Sequence, residues 1–466
     1  MTMDRSGDLL IVGAGPAGMA AAITARKAGL TVFVADEAPA PGGQIFRSVL
    51  RPFPQSSALG PDYRVGGTLA GAFSECGAHL LAHAAVFMIE PGQEGGFETG
   101  ILIEGRARRV LTRAVLIATG ALERPFPIPG WTLPGVMTAG AAQTMLKASG
   151  VVPSGTLHLV GTGPLLYLLA AQYARLGVTV AALLDTTPRA NWAAALPHLP
   201  AFLAGSYAWK GIGLLREVLA STQIIRNVRG LSICGEERAE EIHCIAGGRA
   251  VTLATETVLL HQGVVPQVNL TMATGIPHRW NKERLAFEPE LGANGETNRP
   301  GLYVAGDTGG IAGGQAAQHR GILVALAILR ELGCDLSGLE LPKAATAQRA
   351  VGKALRGRRF LDALYRPADE ARVPSEDDVI VCRCEEVRAG EIRSLVRRGA
   401  QGPNQAKFFC RAGMGPCQGR LCGLTVCETM AAEAGLSPDE IGYMRVRTPV
   451  KPVTVGAMAT LLQDVT

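Results

Sequence analysis

The cysteines offer the clearest chemistry in this sequence. Ten are present, and six of them lie between positions 382 and 427. Cys382 and Cys384 form a C-x-C pair, and Cys417 and Cys422 form a C-x4-C pair after 32 intervening residues. Four thiolates can bind Zn²⁺ or an iron–sulfur cluster, and the single-residue spacing of the first pair disfavours structural zinc, which mostly uses spacings of two to four residues. The clustering also disfavours a secreted disulfide scaffold and indicates a metal site in a reducing compartment.

The residues around these pairs support the same interpretation. Gly413-Met414-Gly415-Pro416 precedes the second pair and would expose backbone N–H groups to sulfur atoms. Cys410 and Cys427 are interpreted as buried small residues rather than ligands.

A second chemical motif stands near the N-terminus. Gly13-Ala14-Gly15-Pro16-Ala17-Gly18 matches G-x-G-x-x-G, directly after an apolar run and at the start of a helical pattern. The first glycine permits a tight turn, the second lets the backbone approach a pyrophosphate, and the third lets helix and strand pack closely. Asp36 follows 18 residues after the last glycine and is the candidate acceptor for an adenosine ribose hydroxyl, with Glu37 as the second choice.

Three further blocks favour FAD over NAD at this first site. Gly42-Gly43-Gln44 follows the acid, Ala118-Thr119-Gly120 ends a strand pattern, and Gly306-Asp307 ends another. A glycine-rich helix start follows, which includes Gln315. The N-terminus of such a helix favours negative charge on a bound group.

A second dinucleotide motif is degenerate. Gly161-Thr162-Gly163-Pro164-Leu165-Leu166 repeats the phrase, and Asp185 ends the following strand pattern. Leu166 takes the place of the third glycine, where close helix packing needs Gly or Ala. We therefore expect a vestigial or repurposed site, for another adenine nucleotide for example, rather than a working NAD(P) site, and Asp185 would favour NAD over NADP if it works.

The elements that must position these motifs alternate between strands and helices. A strand at 8–13, a helix to about residue 29 and a strand at 31–36 recur as the same phrase at 156–185. This pattern predicts an α/β fold with parallel sheets covered by helices on both faces. Residues 189–220 are predicted to be a helical insert. Residues 343–366 are predicted to be a basic helical connector, either a solvated face or a docking surface.

Length and composition limit the remaining possibilities. At 466 residues, with 47% hydrophobic and 18% charged residues, the chain should form two to four globular domains. The net charge of +5 supports neither nucleic-acid nor membrane-surface binding. No signal peptide or integral membrane segment is recognised, so a cytoplasmic location is expected.

The four glycine and acid blocks of the first site resemble those of the glutathione-reductase and thioredoxin-reductase superfamily. The resemblance implies two dinucleotide-binding, Rossmann-like domains and FAD at the first site. By matching position, Asp307 would hydrogen-bond the ribityl and pyrophosphate region. The redox cysteine pairs of those reductases have no counterpart here, since no cysteine lies between Cys76 and Cys234, so disulfide reduction is not expected.

Residues 381–423 resemble the bacterioferritin-associated-ferredoxin type of [2Fe–2S] domain, in the version fused to certain flavoprotein subunits. The segments C-R-C-E-E and G-M-G-P-C-Q-G-R carry the resemblance. It implies that Cys382, Cys384, Cys417 and Cys422 are the cluster ligands. Ala412 stands where relatives often have a further cysteine, so that position has no ligand role.

The whole chain resembles the alpha-type subunits of bacterial heteromeric amine dehydrogenases. That set includes the A subunits of the opine oxidases, the B subunits of hydrogen cyanide synthases, and the alpha subunits of hydroxyproline or proline dehydrogenases. The segments 133–143, 313–321 and 449–452 add to this resemblance. It implies a flavin-containing beta-type catalytic partner, FMN at a subunit interface in some members, and sometimes a small ferredoxin-like gamma subunit. His319 would lie near the flavin edge, as a catalytic candidate or as a packed helix residue.

These expectations define a domain plan and three competing functions. The plan is a discontinuous FAD domain (1–125 and 250–342), a degenerate dinucleotide domain (126–249), a connector (343–378), a [2Fe–2S] domain (379–430) and a tail (431–466). The first function is an electron-relay subunit of a dehydrogenase for secondary amines or amino acids of the opine, hydroxyproline/proline or glycine class. The alternatives are a self-contained NAD(P)H-dependent reductase that passes electrons to its own cluster, and a non-catalytic assembly protein.

Overall fold

Short apolar runs form most of the strands of this protein, whose computed structural model describes residues 5–463. Val, Ile and Leu dominate the central strands, as expected for strands that are buried on both faces. The strands are β1 (Arg5–Val12), β2 (Val32–Ala35), β3 (His79–Leu81), β4 (Ala85–Pro91), β5 (Phe97–Ile103), β6 (Arg106–Ile117), β7 (Ala121–Glu123), β8 (Val136–Thr138), β9 (Leu157–Thr162), β10 (Ala182–Asp185), β11 (Gln223–Arg226), β12 (Arg229–Cys234), β13 (Glu241–Ala246), β14 (Arg249–Ala254), β15 (Thr257–Gln262), β16 (Val264–Pro266), β17 (His278–Asn281), β18 (Ala286–Pro289), β19 (Leu302–Val304), β20 (Ile380–Cys382) and β21 (Val387–Arg388).

The helices begin at glycine or proline turns in several places, because Pro is tolerated in the first turn of a helix. They are α1 (Pro16–Lys27), α2 (Pro61–Glu75), α3 (Ala139–Ser149), α4 (Pro164–Arg175), α5 (Arg189–Ala195), α6 (Leu199–Leu203), α7 (Ser206–Ser221), α8 (Asn269–Ala273), α9 (Gly314–Glu331), α10 (Ala344–Leu355), α11 (Arg358–Leu364), α12 (Ala389–Arg397), α13 (Pro403–Cys410), α14 (Gly423–Ala434), α15 (Pro438–Ile441) and α16 (Val455–Gln463). None of the helices between residues 5 and 463 is both long and apolar enough to cross a membrane.

The first domain is built on a sheet with the order β3-β2-β1-β6-β5-β4, and β19 also pairs with β6. Strands β3, β2, β1, β6 and β19 run parallel, whereas β4 and β5 form an antiparallel extension. Because β19 lies beside β6, residues after position 300 complete a sheet that begins at the N-terminus. The first domain is therefore discontinuous in sequence.

The second domain has a five-stranded parallel sheet with the order β11-β10-β9-β15-β8. Strand β15 pairs with β9 from Thr257↔Leu157 to Gln262↔Thr162. The strand at 257–262 therefore belongs to the second domain, whereas the boundary predicted at residue 250 places it in the first. The boundary is wrong because a buried apolar strand carries no local mark of the sheet that it joins.

The crossover between the two domains is a two-stranded link of β7 and β16, which pair antiparallel. The predicted helical insert is present, but it is divided into α5, α6 and α7. The predicted connector forms α10 and α11, and α10 packs on α9.

A smaller C-terminal unit holds β20, β21 and α12 to α15, and its core continues into the body of the protein. Val381, Ile392 and Met430 of this unit share one apolar cluster with Val265 and Phe287 of the body. The chain then returns to the first domain, where α16 packs against β6. The C-terminal unit is therefore packed on the body rather than tethered to it.

Candidate cofactor sites

The first glycine loop has the geometry of a dinucleotide cradle. Gly13 has a φ of +107°, and a Cβ there would lie 2.4 Å from the carbonyl oxygen of Ala118. A Cβ at Gly18 would lie 1.9 Å from the carbonyl oxygen of Gly13, so only glycine allows α1 to sit this close to β1. Gly15, in contrast, faces open space: a Cβ there would find only the Cα of Gly43, at 4.0 Å. These are the three roles expected of the fingerprint, and the open face fits a diphosphate.

The N-terminus of α1 is free to bind an anion. Gly15 is its N-cap residue and Pro16 follows it, and no side chain caps this end. Uncapped N–H groups and the helix dipole both favour a phosphate at this position.

Asp36 directly follows β2, but its carboxylate already has two backbone partners. It accepts hydrogen bonds from the N–H of Ala14 at 2.6 Å and from the N–H of Ala38 at 2.7 Å. Burial raises the pKa of Asp36, and these two N–H donors oppose that rise. Asp36 therefore organises the glycine loop at Ala14, while the neighbouring Glu37 is exposed and pairs with Lys451.

The predicted blocks around Thr119 and Asp307 are brought together at the far end of the same site. The hydroxyl of Thr308 accepts from the N–H of Gly120 at 2.6 Å and lies 3.3 Å from the hydroxyl of Thr119. One carboxylate oxygen of Asp307 accepts from the N–H groups of Ala312 and Gly313, at 2.8 and 3.0 Å. This carboxylate holds the glycine loop that leads into α9.

Helix α9 also starts without a side-chain cap, at Gly313. Gln315 is exposed in its first turn, close in the chain to Gly306 and Asp307. His319 lies in the second turn, and burial lowers its pKa. No acidic partner for His319 is found among residues 5–463, so the geometry gives it no defined catalytic role.

The turn at Gly42-Gly43-Gln44 lies on the first glycine loop. The N–H of Gly42 donates to the carbonyl of Ala14 at 2.9 Å. A Cβ at Gly43 would lie 2.9 Å from the Cα of Gly15. This turn therefore forms one wall of the cradle.

The second dinucleotide motif is closed by its own side chains. A Cβ at Gly163 would lie 3.1 Å from the imidazole of His261, so this ring covers the second glycine. His261 pairs with Glu123 at 2.5 Å, and Glu123 also accepts from the N–H of Gly140 at 2.8 Å. Sequence analysis did not single out His261, because only the pairing of β15 with β9 brings it to this loop.

The acid of the second site is likewise engaged. Asp185 accepts from the hydroxyl of Tyr167 at 2.7 Å and from the N–H of Thr187 at 2.8 Å. Leu166 is fully buried beneath the loop. Gly161, with a φ of +138°, allows the close approach of the His261 backbone. Each carboxylate oxygen of Asp185 therefore already accepts one hydrogen bond, as those of Asp36 do, so the ring of His261 over Gly163 is what distinguishes the second loop from the first.

The fold brings the four paired cysteines together. Their side chains interact in the order Cys382, Cys422, Cys417, Cys384. Cys382 and Cys422 are buried, Cys417 is half-buried and Cys384 is exposed. Within residues 5–463, no group of three or more His, Cys, Asp and Glu side chains is arranged so that it could hold a metal ion. The four thiols thus form a row and do not surround one common point.

The electrostatics of the row fit thiolate chemistry. Hydrogen bonding from Cys422 lowers the pKa of Cys382 to about 6 and that of Cys417 to about 5. The interactions with the same two neighbours raise the pKa of Cys422, so Cys422 keeps its proton while Cys382 and Cys417 lose theirs more readily. Backbone N–H groups also point at the sulfurs, for example from Gly413 to Cys382. Such N–H donors are features by which proteins tune the sulfurs of iron–sulfur clusters, so the donor set fits one.

Side chains of the body hold the loops that carry these cysteines. The indole N–H of Trp131 donates to the carbonyl of Ile380 at 2.7 Å, and the amide of Asn269 donates to the carbonyl of Gln418 at 2.9 Å. Both acceptors lie within two residues of a paired cysteine. Sequence analysis missed both donors, because neither has a local pattern that marks it.

A buried ionic group fixes the same unit. Glu428 on α14 pairs with Arg124 at 3.6 Å and with Arg372, and all three side chains are at most 9% exposed. Burial lowers the pKa of Arg124 to about 9, and the charge of Arg372 adds to this effect. Glu428 is thus the shared anion between the domain crossover, the connector and the C-terminal unit.

Comparisons with known proteins match this arrangement. Residues 7–321 match the family described as Pyridine nucleotide-disulphide oxidoreductase, and residues 378–461 match the family described as Sarcosine oxidase A3 domain. The chain is 46% identical to the A-subunit of opine oxidase from Agrobacterium tumefaciens (strain Ach5), over 97% of this chain and 92% of that relative. The chain belongs to the opine oxidase A-subunit family.

Two further similarities agree with this assignment. Hydrogen cyanide synthase subunit HcnB of Pseudomonas aeruginosa is 31% identical, over 97% of this chain and 98% of that relative. The crystal structure of L-proline dehydrogenase from P. horikoshii superposes with a TM-score of 0.71 at 21% identity, over 97% of this chain and 79% of that one. At this identity the structural likeness shows the fold.

Family membership confirms several predictions from the sequence. The protein is an oxidoreductase with the predicted α/β fold, and the Pyridine nucleotide-disulphide oxidoreductase match implies FAD. The match to the second family extends to residue 461, beyond the end of the small domain predicted at 430. The structure gives the physical reason, since Ile441 and Met444 are buried in the core of the C-terminal unit.

Proposed function

We propose that this chain is the electron-relay component of a heteromeric dehydrogenase that oxidises secondary amines or amino acids. A flavin-containing beta-type partner would remove hydride from the substrate C–N bond, and substrates would be of the opine, hydroxyproline/proline or glycine class. The names of the relatives, opine oxidase and L-proline dehydrogenase, support this substrate class. The proposal also includes FMN at the interface with the partner and a small, ferredoxin-like gamma subunit.

The observation that carries the proposal is the convergence of the four paired cysteines beside the first dinucleotide domain. Bound FAD would accept electrons in pairs, and a [2Fe–2S] cluster would pass them on singly. Gly13–Gly18 and the turn at Gly43 would hold the diphosphate, and Asp36 would order the loop at the ribose. Cys382, Cys384, Cys417 and Cys422 would hold the cluster, with N–H donors from their own loops.

Contacts within the chain connect the first dinucleotide site to the cysteine loops. The N–H of Gln267 donates to the carbonyl of Gly120 at 3.1 Å, at the turn next to Thr119. Two residues later, Asn269 binds the carbonyl of Gln418 in the cysteine loop. The flavin-side turn and the cysteine loop are therefore joined through three consecutive residues, which supports a fixed spacing between two redox groups.

The test begins with the chain purified anaerobically after iron-replete expression. We expect bound FAD, about two iron atoms per chain and an electron paramagnetic resonance signal after reduction, but no oxidation of opines, proline or glycine without the partner. Full amine oxidation by the isolated chain would contradict the proposal. A colourless preparation would favour the assembly-protein alternative instead.

Cysteine variants test the cluster assignment. Cys384→Ser should lower the iron content and abolish the resonance signal, because an exposed ligand is lost without a change in the core. Cys410→Ser is the matched control, since the Cys410 thiol donates to the carbonyl of Ala406 at 3.1 Å within its own helix and has the N–H of Ala412 as its other neighbour, so a serine can keep both contacts. Equal iron content in both variants would refute the assignment.

Anaerobic mixing with NADH tests the reductase alternative. The closed second site, with His261 over Gly163 and Leu166 buried beneath the loop, supports slow or absent bleaching of the flavin. Rapid bleaching would establish the reductase function instead.

A further inference from the structure

Lys147 is a buried cation without a buried anion. It lies on α3 and is 6% exposed. Its ammonium donates to the carbonyl of Gln44 at 3.2 Å and to the amide oxygen of Gln143 at 2.9 Å, and both acceptors are neutral. Among residues 5–463, no Asp or Glu forms an ion pair with it, and its third N–H has no hydrogen-bond partner. A charge in this position lacks the compensation that buried charges normally have.

The cost of this arrangement is visible in the electrostatics. Burial lowers the pKa of Lys147 to about 8, and the nearby positive charge of Arg47 adds to the effect. A bound anion would reverse both effects, because an opposite charge favours the protonated amine. The site is therefore electrostatically incomplete in the chain alone.

The carbonyl that Lys147 binds belongs to the wall of the first dinucleotide cradle. Gln44 follows Gly43, which packs closely against Gly15 of the glycine loop. On its other side, Ile45 lies against Gly314 at the start of α9, where a Cβ on the glycine would be 2.8 Å from the Ile45 side chain. The turn thus spans the distance between the phosphate loop and the N-terminus of α9, and the ammonium of Lys147 binds its main chain at Gln44.

Lys147 reaches this turn from the other domain. Helix α3 follows β8 of the second sheet, and Thr144 on the same helix also contacts the Gln44 side chain, at 3.4 Å. A neighbouring bond across the domains is neutral: Gln172 on α4 donates to the carbonyl of Leu59 at 3.1 Å. The bond of Lys147 differs from this neighbouring bond because its donor is a charged ammonium.

We propose that Lys147 is a binding residue that the second domain contributes to the cofactor site of the first, where its charge strengthens binding of the anionic diphosphate of FAD. This inference rests on the proposed occupancy of that site by FAD. It gives the second domain a role in the flavoprotein although its own dinucleotide motif is closed.

The test measures the affinity of the FAD-free chain for FAD by fluorescence titration. Lys147→Met should weaken binding about tenfold, the effect of about 1.4 kcal/mol of lost charge interaction, while Lys147→Arg should bind within about twofold of the wild type. Gln172→Met is the charge-neutral control, because it removes the bond to the carbonyl of Leu59 and the bond from the amide of Gln143, a partner of Lys147, without a change in charge. Its FAD affinity should equal that of the wild type.

Two controls separate a charge effect on FAD affinity from a folding defect. The difference between wild type and Lys147→Met should shrink as salt rises, since screening weakens the charge interaction. Circular dichroism of the FAD-free variants checks that each is folded, and Lys147→Gln replaces Lys147→Met if the latter is not.

The outcomes separate this inference from the proposed function. Equal affinity of Lys147→Met and wild type, or equal loss in Lys147→Met and Gln172→Met, overturns the role of the Lys147 charge and leaves the relay function intact. A wild-type chain that binds no FAD overturns the proposed function itself.

Discussion

The buried carboxylate of Glu428 should be the most sensitive single group in the attachment of the C-terminal unit. Glu428→Gln keeps the side-chain shape but leaves Arg124 and Arg372 facing each other, both less than 10% exposed. Breaking a buried ion pair in this way costs roughly 3–5 kcal/mol. We expect the cost of a single pair although two arginines lose their partner, because Arg124 keeps the carbonyls of Arg284 and Leu285 at 3.0 and 2.6 Å.

The assay is urea unfolding followed by tryptophan fluorescence, with Trp131 and Trp280 as natural reporters at the contact between the body and the C-terminal unit. With a slope of about 2 kcal/mol per M, a loss of about 4 kcal/mol lowers the midpoint of this transition by about 2 M. Asp369→Asn is the control, because Asp369 also pairs with Arg372 but is 91% exposed, so screening should limit its effect to about 1 kcal/mol or less.

A triple variant separates loss of the pair from loss of charge. Arg124→Met, Arg372→Met and Glu428→Leu together should recover most of the stability, because apolar side chains can replace a buried ionic group with little loss. If Glu428→Gln unfolds at the same urea concentration as Asp369→Asn, the claim that this carboxylate holds the unit to the body is wrong.

Three other predictions follow from named contacts. Gly321→Ala should lower the thermal melting temperature and reduce FAD retention on gel filtration, because its Cβ would lie 2.1 Å from the carbonyl oxygen of Ala17 on α1. This holds although Ala is the better helix former. Gly71→Ala, which has open space around it, should leave the melting temperature unchanged or raise it. Asp36→Asn should lower the free energy of unfolding by roughly 1–3 kcal/mol and weaken FAD binding, because the backbone N–H of Ala14 or Ala38 then faces an amide donor. The exposed Glu37→Gln should bind FAD almost normally. Equal FAD retention by the two variants would contradict the role of Asp36. Burial lowers the pKa of His278 to about 4 from its ordinary 6.5, so the unfolded chain binds the proton more tightly than the folded chain. The contribution of the neutral His278 to stability is therefore complete above pH 6.5 and is lost as the pH falls towards 4. The urea midpoint of His278→Asn should fall less steeply over this pH range than that of the wild type.

The sequence predicts the parts of the sites that depend on local backbone geometry. The glycines at 13, 15 and 18 can be read from spacing alone, because each fulfils a steric requirement within one strand–turn–helix unit. The paired cysteines are equally local in each half, and their convergence follows once both pairs are assigned to one site.

The contacts that join the domains could not be predicted in this way. Lys147 and Glu428 resemble ordinary charged residues of helices, and Asn269 resembles an ordinary loop residue. Their partners lie about 100 to 300 residues away. No periodicity marks such a pair, since its meaning depends on how two separately folded surfaces meet.

The tail after the cysteine unit has a consequence for synthesis of the protein. Val446 and Val450 are buried in the same apolar cluster as Leu10 and Val12, and the N–H of Val450 donates to the carbonyl of Phe87 at 2.9 Å. A ribosome makes the strands of the first sheet early and the residues that cover them hundreds of codons later. Until the tail has been released, this face of the sheet stays uncovered, and a chain that terminates early exposes apolar surface to chaperones and proteases. Truncation before Val446 would therefore leave the apolar cluster around Leu10 and Val12 partly uncovered.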